Sequence, residues 1–331
     1  MCKMKSSSDV LARAVRIDTG SRLHFGFYST TGGPGLFAGM GVAIANPSFV
    51  AEVEASEAGI SVSGRGADRL AELAEEVVSA LGVPGARIRA SSTIPAHVGL
   101  GSTTQTKLGL AKAINDLYGL GKTVRELAYL LRRGEFSGIG TLAFEFGGFI
   151  IDTGRGPGWM SGPDGLPRPL FRLDVPERWR FLLLMKKGAR GLSEREERGV
   201  LLGLEPMPER TASRICYLIM RRLVPSLLWD DIASFGRALT EIQELVGEYF
   251  SPHQGGMFMD EAADELKAFL LSQGAHGVGQ SSWGPTLYAL TTDERASVLK
   301  RAVEGFLARE GLRYHVLIAR PRNRGARIEI V

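Results

Sequence analysis

The spacing of apolar and polar positions changes several times along the chain, and each change predicts an element. From Ala14 to Ser63 apolar and polar residues alternate as in strands, clearest at Val50–Val53 and Gly59–Ser63, with Gly and Pro turns between. Between Asp68 and Leu81 the period lengthens. Leu70, Leu73, Val77, Val78 and Leu81 predict one helix that stops at Gly82. Alternation returns at Ala86–Ser92. Helices follow over Leu100–Leu117 and Val124–Arg133, the second opened by Thr123 and Glu126 in capping-box spacing. Gly147–Ile151 reads as a buried strand and Phe181–Met185 as another. Helices are predicted near Arg210–Leu223, Asp231–Tyr249 and Asp260–Ser272. The chain then reads strand, helix, strand at Thr286–Leu290, Asp293–Ala308 and Arg313–Ala319.

Strands and helices are mixed without the regular βαβ rhythm of a doubly wound sheet, so the fold class expected is α+β with two layers. The Gly/Pro-rich stretch Arg155–Pro169 is the clearest boundary. It gives an N-terminal domain over 13–165 and a C-terminal domain over 166–331, with the polar, Ser-rich residues 1–12 expected to be disordered.

Composition narrows the class. The chain has 331 residues, 44% hydrophobic and 23% charged, which is enough to bury a large core. Its 42 glycines fall in clusters rather than at a fixed period, which excludes a collagen-like chain. The net charge of +4 is mild, and basic residues concentrate only at Arg320–Arg327, read as a solvated tail or a phosphate-binding edge rather than a nucleic-acid patch. Cys2 and Cys216 suggest neither a disulfide framework nor a zinc site, and His253, His276 and His315 have no metal-ligand spacing. There is no apolar leader and no run near the ~20 apolar residues of a membrane span, so a cytoplasmic location is the default expectation.

The most informative stretch is Pro95–Thr104. A strand leads in, Gly99 and Gly101 permit a tight turn, and an amphipathic helix leaves. Free N–H groups at the helix start, its positive dipole end and the hydroxyls of Ser102, Thr103 and Thr104 suit an anion. A plain N-capped turn is the alternative for such a loop in isolation. It is not a Walker A loop, because no Gly-Lys-Ser/Thr closes it. Pro95-x3-Gly99-Leu100-Gly101-Ser102-Thr103 resembles the phosphate loop of GHMP kinases, and Gly277–Leu290 resembles that superfamily's third motif. The resemblance implies a GHMP-kinase-like fold, with an N-terminal part like ribosomal protein S5 domain 2 and a ferredoxin-like C-terminal part.

A third segment, Ile17–Phe27, places Asp18, Arg22 and His24 close together. In an extended strand Arg22 and His24 share a face. Together with Gly147–Arg155 and Gly188–Ser193, this segment is similar to the β-ribofuranosylaminobenzene 5′-phosphate synthase family, which has the GHMP fold without being a kinase. Glu135–Gly148 contains no Asp where GHMP kinases usually carry a catalytic one; Glu135 and Glu145 remain as carboxylates.

The resemblance implies transfer of phosphoribose from phosphoribosyl pyrophosphate to 4-aminobenzoate or 4-hydroxybenzoate, with release of carbon dioxide and pyrophosphate, in tetrahydromethanopterin biosynthesis. It further implies Mg²⁺ and a homodimer, with no nucleic-acid or membrane partner. Expected catalytic residues are Asp18 for the developing positive charge or the metal, Arg22 for a phosphate or carboxylate, and His24 as proton or hydrogen-bond donor to pyrophosphate. Pro95, Gly99, Leu100, Gly101, Ser102, Thr103 and Thr104 are expected to bind phosphate. Arg190, Gly279, Ser281, Ser282 and Trp283 are expected to bind substrate. No metal ligand is assigned. His97 faces either substrate or solvent, and Glu194–Glu197 reads as a solvated helix start. The rival readings are an ATP-dependent small-molecule kinase and a non-catalytic sensor of a phosphorylated metabolite.

Overall fold

The structure, a computed structural model, describes residues 14–30, 36–192 and 194–331. The disorder expected for residues 1–12 lies outside the described residues.

Two long antiparallel strands form the spine, β1 (Ala14–Ser29) and β2 (Ala38–Ala55). Their register shifts at Thr19/Ser21, His24/Gly26 and Phe27/Ser29, and such bulges bend a strand and re-aim its side chains. A short β3 (Ser61–Gly64), helix α1 (Ala67–Leu81) and β4 (Ala86–Ser92) follow. Helix α1 buries Leu70, Leu73, Val77, Val78 and Leu81, the predicted stripe, and ends at Gly82 in the left-handed region, whose N–H bonds the Val78 carbonyl at 3.0 Å. Helix α2 (Ser102–Leu117) leaves the glycine-rich loop. In α3 (Val124–Leu130) both capping-box bonds form: Thr123 N–H to Glu126 Oε2 at 2.8 Å and Glu126 N–H to Thr123 Oγ1 at 3.2 Å.

Helix α4 (Ile139–Phe146) was not legible in the sequence, because its short apolar run shows no helical period. It leads to β5 (Phe149–Asp152) and β6 (Pro169–Leu173). The rest comprises β7 (Trp179–Lys186), α5 (Glu194–Leu202), α6 (Glu209–Leu218), a π-helical turn at Ile219–Leu223, α7 (Val224–Leu228), α8 (Ile232–Gln254), α9 (Ala263–Ser272), β8 (Gly277–Gln280), β9 (Thr286–Thr292), α10 (Asp293–Arg309), β10 (Tyr314–Ala319) and β11 (Arg327–Ile330).

The first sheet runs β11-β1-β2-β4-β3, with β5 on the other half of β2 and β6 beside β5. It therefore draws strands from both sides of the boundary read at 165/166. The second sheet is antiparallel, in the order β10-β7-β9-β8. Strand β7 divides its faces by parity: Phe181, Leu183 and Met185 enter the main core, while Leu182 and Leu184 enter a second core with Leu266 and Leu270 of α9 and Leu299 and Val303 of α10. The main core joins β1, β2, α1, α2 and α8 in one cluster, which holds the two halves together.

The arginine-rich segment Arg320–Arg327 is not a free tail but is bonded into the fold. Arg322 N–H bonds the Ala43 carbonyl at 2.9 Å, Ala326 N–H bonds Phe144 at 2.7 Å, and β11 pairs with β1. Among the described residues no helix is long and apolar enough to cross a membrane.

Candidate active site

The three sequence motifs meet at one backbone oxygen. The Gly99 carbonyl accepts a hydrogen bond from Arg22 Nη1 and another, at 2.7 Å, from Ser281 Oγ. Next to it, Thr286 Oγ1 donates to the Val98 carbonyl at 2.6 Å, and Arg22 N–H donates to Leu100 at 3.1 Å. The loop before α2 is thus tied to β1 on one side and to the β8–β9 turn on the other. Gly99 has φ +81°, and a Cβ there would lie 2.1 Å from the Ser281 carbonyl oxygen. Only glycine fits.

Behind the loop, Arg69 of α1 bridges His97 Nε2 at 2.8 Å and Thr103 Oγ1 at 3.1 Å, and Gly191 N–H donates to the His97 carbonyl at 2.7 Å. The open face, from Gly99 to Thr104, lines a cavity of about 550 Å³, within the usual range for a small-molecule site. Arg22, Arg132, Arg133 and Arg198 line this polar chamber against two acids, Glu135 and Glu197, so an anion is favoured there. Arg198 is paired with Glu135.

A second chamber of about 120 Å³ adjoins it and is mainly apolar. Phe27, Val246, Phe250, Met257, Phe258 and Trp283 supply its walls, with Trp283 edge-on to Phe250 at 5.0 Å. Its amides are already engaged. Gln243 bonds the Phe25 carbonyl and the Gln280 N–H, and Gln280 bonds Met259 N–H and the Ser282 carbonyl. Arg22, Phe136, Ser137, Glu197, Leu201, Ser282 and Trp283 line both chambers, so the two form one cleft with a polar and an apolar end.

At this junction, burial lowers the Arg22 pKa to about 10, with Glu197 acting in the opposite direction, so the guanidinium stays charged at neutral pH. Its Nε is buried and has no hydrogen-bond partner. His24 is 3% exposed, and burial together with Arg22 lowers its pKa to about 3. The ring is neutral. Gly26 N–H donates to its Nδ1 at 3.1 Å, which places the ring proton on Nε2, and Nε2–H donates to Ser137 Oγ at 2.9 Å. His24 therefore does not supply the titrating proton that the unperturbed pKa suggested.

Several other expected site residues lie away from the cleft. Asp18 lines neither chamber; it is paired with Arg322 at 2.8 Å, four residues down a strand from Arg22. Pro95 is exposed at the loop's far start, and Arg190 is also exposed, with its neighbours Gly191 and Leu192 at the cavity instead. Gly279 and Ser281 are buried beneath the site, where Ser281 braces the loop. Ser282 and Trp283 do face it, Ser282 in the left-handed region at φ +57°.

The sequence reading missed Phe136, Ser137 and Glu197. Glu197 belongs to the segment read as a solvated helix start. Ser137 belongs to the stretch searched only for a carboxylate. Buried Asp152 fixes the Ser137 turn by accepting Gly138 N–H at 3.0 Å, along with Gly39 at 2.9 Å and Gly154 at 2.8 Å. Burial pushes its pKa up to about 7 against the pull of those three N–H groups.

Comparison with known proteins agrees with this convergence of motifs. The GHMP kinases N terminal domain model matches residues 68–148, and the GHMP kinases C terminal model matches 223–308. The β-ribofuranosylphenol 5′-phosphate synthase of Methanothermobacter thermautotrophicus is 31% identical over 94% of this chain and 97% of its own. The protein of that name from Archaeoglobus fulgidus is 31% identical over 96% of this chain and 100% of its own. This chain belongs to the β-ribofuranosylphenol 5′-phosphate synthase family. The homoserine kinase structure from Cytophaga hutchinsonii superposes with a TM-score of 0.66 at 19% identity, covering 99% of this chain and 100% of that one, and shows the shared GHMP-kinase fold.

In this synthase family member no group of three or more His, Cys, Asp or Glu is placed to hold a metal among the described residues. The side-chain oxygen donors lining the polar chamber are the Glu135 and Glu197 carboxylates and the Ser102, Thr103, Thr104, Ser137 and Ser282 hydroxyls. That hard donor set fits Mg²⁺ arriving with phosphates better than a dedicated protein cage.

Proposed function

We propose that this chain is a pentosyltransferase that joins the ribose 5-phosphate of phosphoribosyl pyrophosphate to a para-substituted benzoate, releasing carbon dioxide and pyrophosphate. The curated relatives' names specify a ribosylphenol product, so 4-hydroxybenzoate is the first acceptor to test and 4-aminobenzoate the second. One observation carries the reading: a polar, arginine-lined chamber and an aromatic-lined chamber open into each other at Arg22, Ser137 and Glu197.

The chemistry follows from that arrangement. The para oxygen or nitrogen pushes electron density to the ring carbon that bears the carboxylate. That carbon attacks ribose C1 as the bond to pyrophosphate breaks, and loss of carbon dioxide restores the aromatic ring. The chain chiefly has to hold the partners, exclude water and stabilise separated charge. The loop Gly99–Thr104 holds phosphate by backbone N–H groups, hydroxyls and the α2 dipole. Phe250 and Trp283 hold the ring. Arg22 forks onto the carboxylate or a phosphate at the junction. Glu197, rather than Asp18, is the carboxylate beside the developing cation. Mg²⁺ would be held by pyrophosphate with Glu197 and Ser102, and supplies neutralisation of phosphate charge.

The test is release of both carbon dioxide and pyrophosphate from phosphoribosyl pyrophosphate, 4-hydroxybenzoate and Mg²⁺. Release that requires both substrates supports the reading. Absence of release with either arene, in folded protein, refutes it. A homodimer located in the cytoplasm completes the reading. It rests on the family resemblance and is checked by sedimentation and cell fractionation.

A further inference from the structure

Ser137 sits at the seam of the cleft, and its hydrogen bonds are one-sided. Its Oγ accepts from His24 Nε2–H at 2.9 Å and from Ile139 N–H at 3.3 Å. The direction of the first bond is fixed, because Gly26 N–H occupies the lone pair on Nδ1 and leaves the ring proton on Nε2. Both lone pairs of the hydroxyl are therefore engaged, and its own proton has no protein acceptor among the described residues. The side chain lines both chambers, so that proton is available to a ligand at their junction.

The position is built rather than incidental. Ser137 precedes Gly138, whose N–H is held by the buried Asp152 carboxyl at 3.0 Å. A Cβ at Gly138 would lie 2.5 Å from Pro167 Cβ and 2.9 Å from Asp152 Oδ2. Asp152 and Pro167 thus set the turn from below, while His24 sets the hydroxyl from the side.

We propose that the Ser137 hydroxyl is the hydrogen-bond donor to the oxygen that leaves ribose C1 with pyrophosphate, and that His24 is the positioning residue that turns it there. The inference rests on the transferase reading given above. Pyrophosphate departs with both electrons of the C1–O bond, and the serine proton stays on Oγ. The bond strengthens as negative charge collects on the departing oxygen, the condition under which a donor accelerates a step. The acceptor carboxylate is the poorer candidate for this proton, because a strong donor would hold back its loss as carbon dioxide and Arg22 already faces the same junction.

Magnesium pyrophosphate is the probe, titrated calorimetrically into the full chain. Ser137→Ala is expected to weaken its binding by tenfold or more and to lower kcat by about a hundredfold, with the acceptor KM within about threefold, in line with loss of one charge-assisted bond. Ser137→Thr, which keeps the hydroxyl, is expected to restore most of both. His24→Asn keeps an acceptor for Gly26 N–H but deletes the Nε2 donor. It is expected to weaken pyrophosphate binding in the wild-type background and to add nothing in Ser137→Ala. Unchanged pyrophosphate binding in a folded Ser137→Ala variant overturns the proposal, as does a His24→Asn effect that persists undiminished without the Ser137 hydroxyl. Because pyrophosphate binding needs no turnover, failure of the transferase reading shows separately, as a wild-type chain that binds the probe and releases neither product.

Discussion

Ser281 donates a 2.7 Å hydrogen bond to the carbonyl of Gly99, 182 residues earlier in the chain, and so ties the glycine-rich loop before α2 to the second sheet's β8–β9 turn. Ser281 is fully buried and also accepts His24 N–H at 3.0 Å. Ser281→Ala would leave a buried N–H without a partner and deprive the Gly99 carbonyl of one of its two donors. The expected loss of stability is about 1–3 kcal/mol, read by denaturant unfolding, with weaker phosphoribosyl pyrophosphate binding. Gly99→Ala is expected to do more, because its Cβ meets the Ser281 carbonyl at 2.1 Å in a backbone region alanine avoids. Turnover should fall by at least about a hundredfold, the scale of a misplaced anion-binding site.

Arg22 and Asp18 separate the cleft from its surroundings. Arg22 lines both chambers with a free buried Nε, whereas Asp18 is half-exposed and ion-paired with Arg322. Arg22→Ala is expected to cut kcat/KM by at least about a hundredfold, as loss of a charged, hydrogen-bonding group at a reacting centre does. Asp18→Ala is expected to cost about 1 kcal/mol or less of stability, the scale of a partly exposed pair, and to leave kcat nearly unchanged. Steady-state kinetics on the two variants check this; equal losses would return Asp18 to the site.

His24 and Asp152 give opposite pH dependences. The folded His24 pKa is depressed to about 3, below the ordinary 6.5, so its contribution to stability is complete above pH 6.5 and is lost as pH falls toward 3. The folded Asp152 pKa is raised to about 7, above the ordinary 3.8, so its contribution is complete below pH 3.8 and is lost as pH rises through 7. Stability relative to His24→Asn should rise with pH between 4 and 6.5. Stability relative to Asp152→Asn should fall over the same window. Each slope approaches about 1.4 kcal/mol per pH unit for one proton. Urea unfolding at a series of pH values measures both.

Asp152→Asn also carries a structural prediction. Both carboxyl oxygens accept backbone N–H groups: Oδ1 from Gly39 and Gly154, Oδ2 from Gly138. An amide offers one oxygen, so an NH₂ group would face at least one N–H. The expected cost is about 1–3 kcal/mol, and the Ser137 turn should loosen, lowering kcat more than it changes the KM for either substrate.

Much of the architecture was legible because it is local. The helical stripe of α1, the Thr123–Glu126 capping box and the glycines before α2 each act over a few residues, and their geometry follows from period, cap chemistry and permitted φ. Helix α4 and strand β11 were not legible, since the first is a short apolar run without a period and the second is a four-residue edge held by pairing to β1. Asp18 looked catalytic because it stands near Arg22 in sequence. Four residues along an extended strand carry it away from the cleft, to Arg322 near the other end of the chain.

The sequence by itself determined the fold class, the glycine-rich turn before α2 and the resemblance to the synthase family, since all three reside in residue types at fixed short spacings. The tertiary structure alone decided which polar groups face the cleft. It put Glu197 and Ser137 there, took Ser281 and Gly279 beneath it, and made His24 a neutral donor instead of a titrating acid. Those outcomes depend on burial and on partners more than a hundred residues away, such as Ser137 for His24, and a linear pattern carries neither quantity.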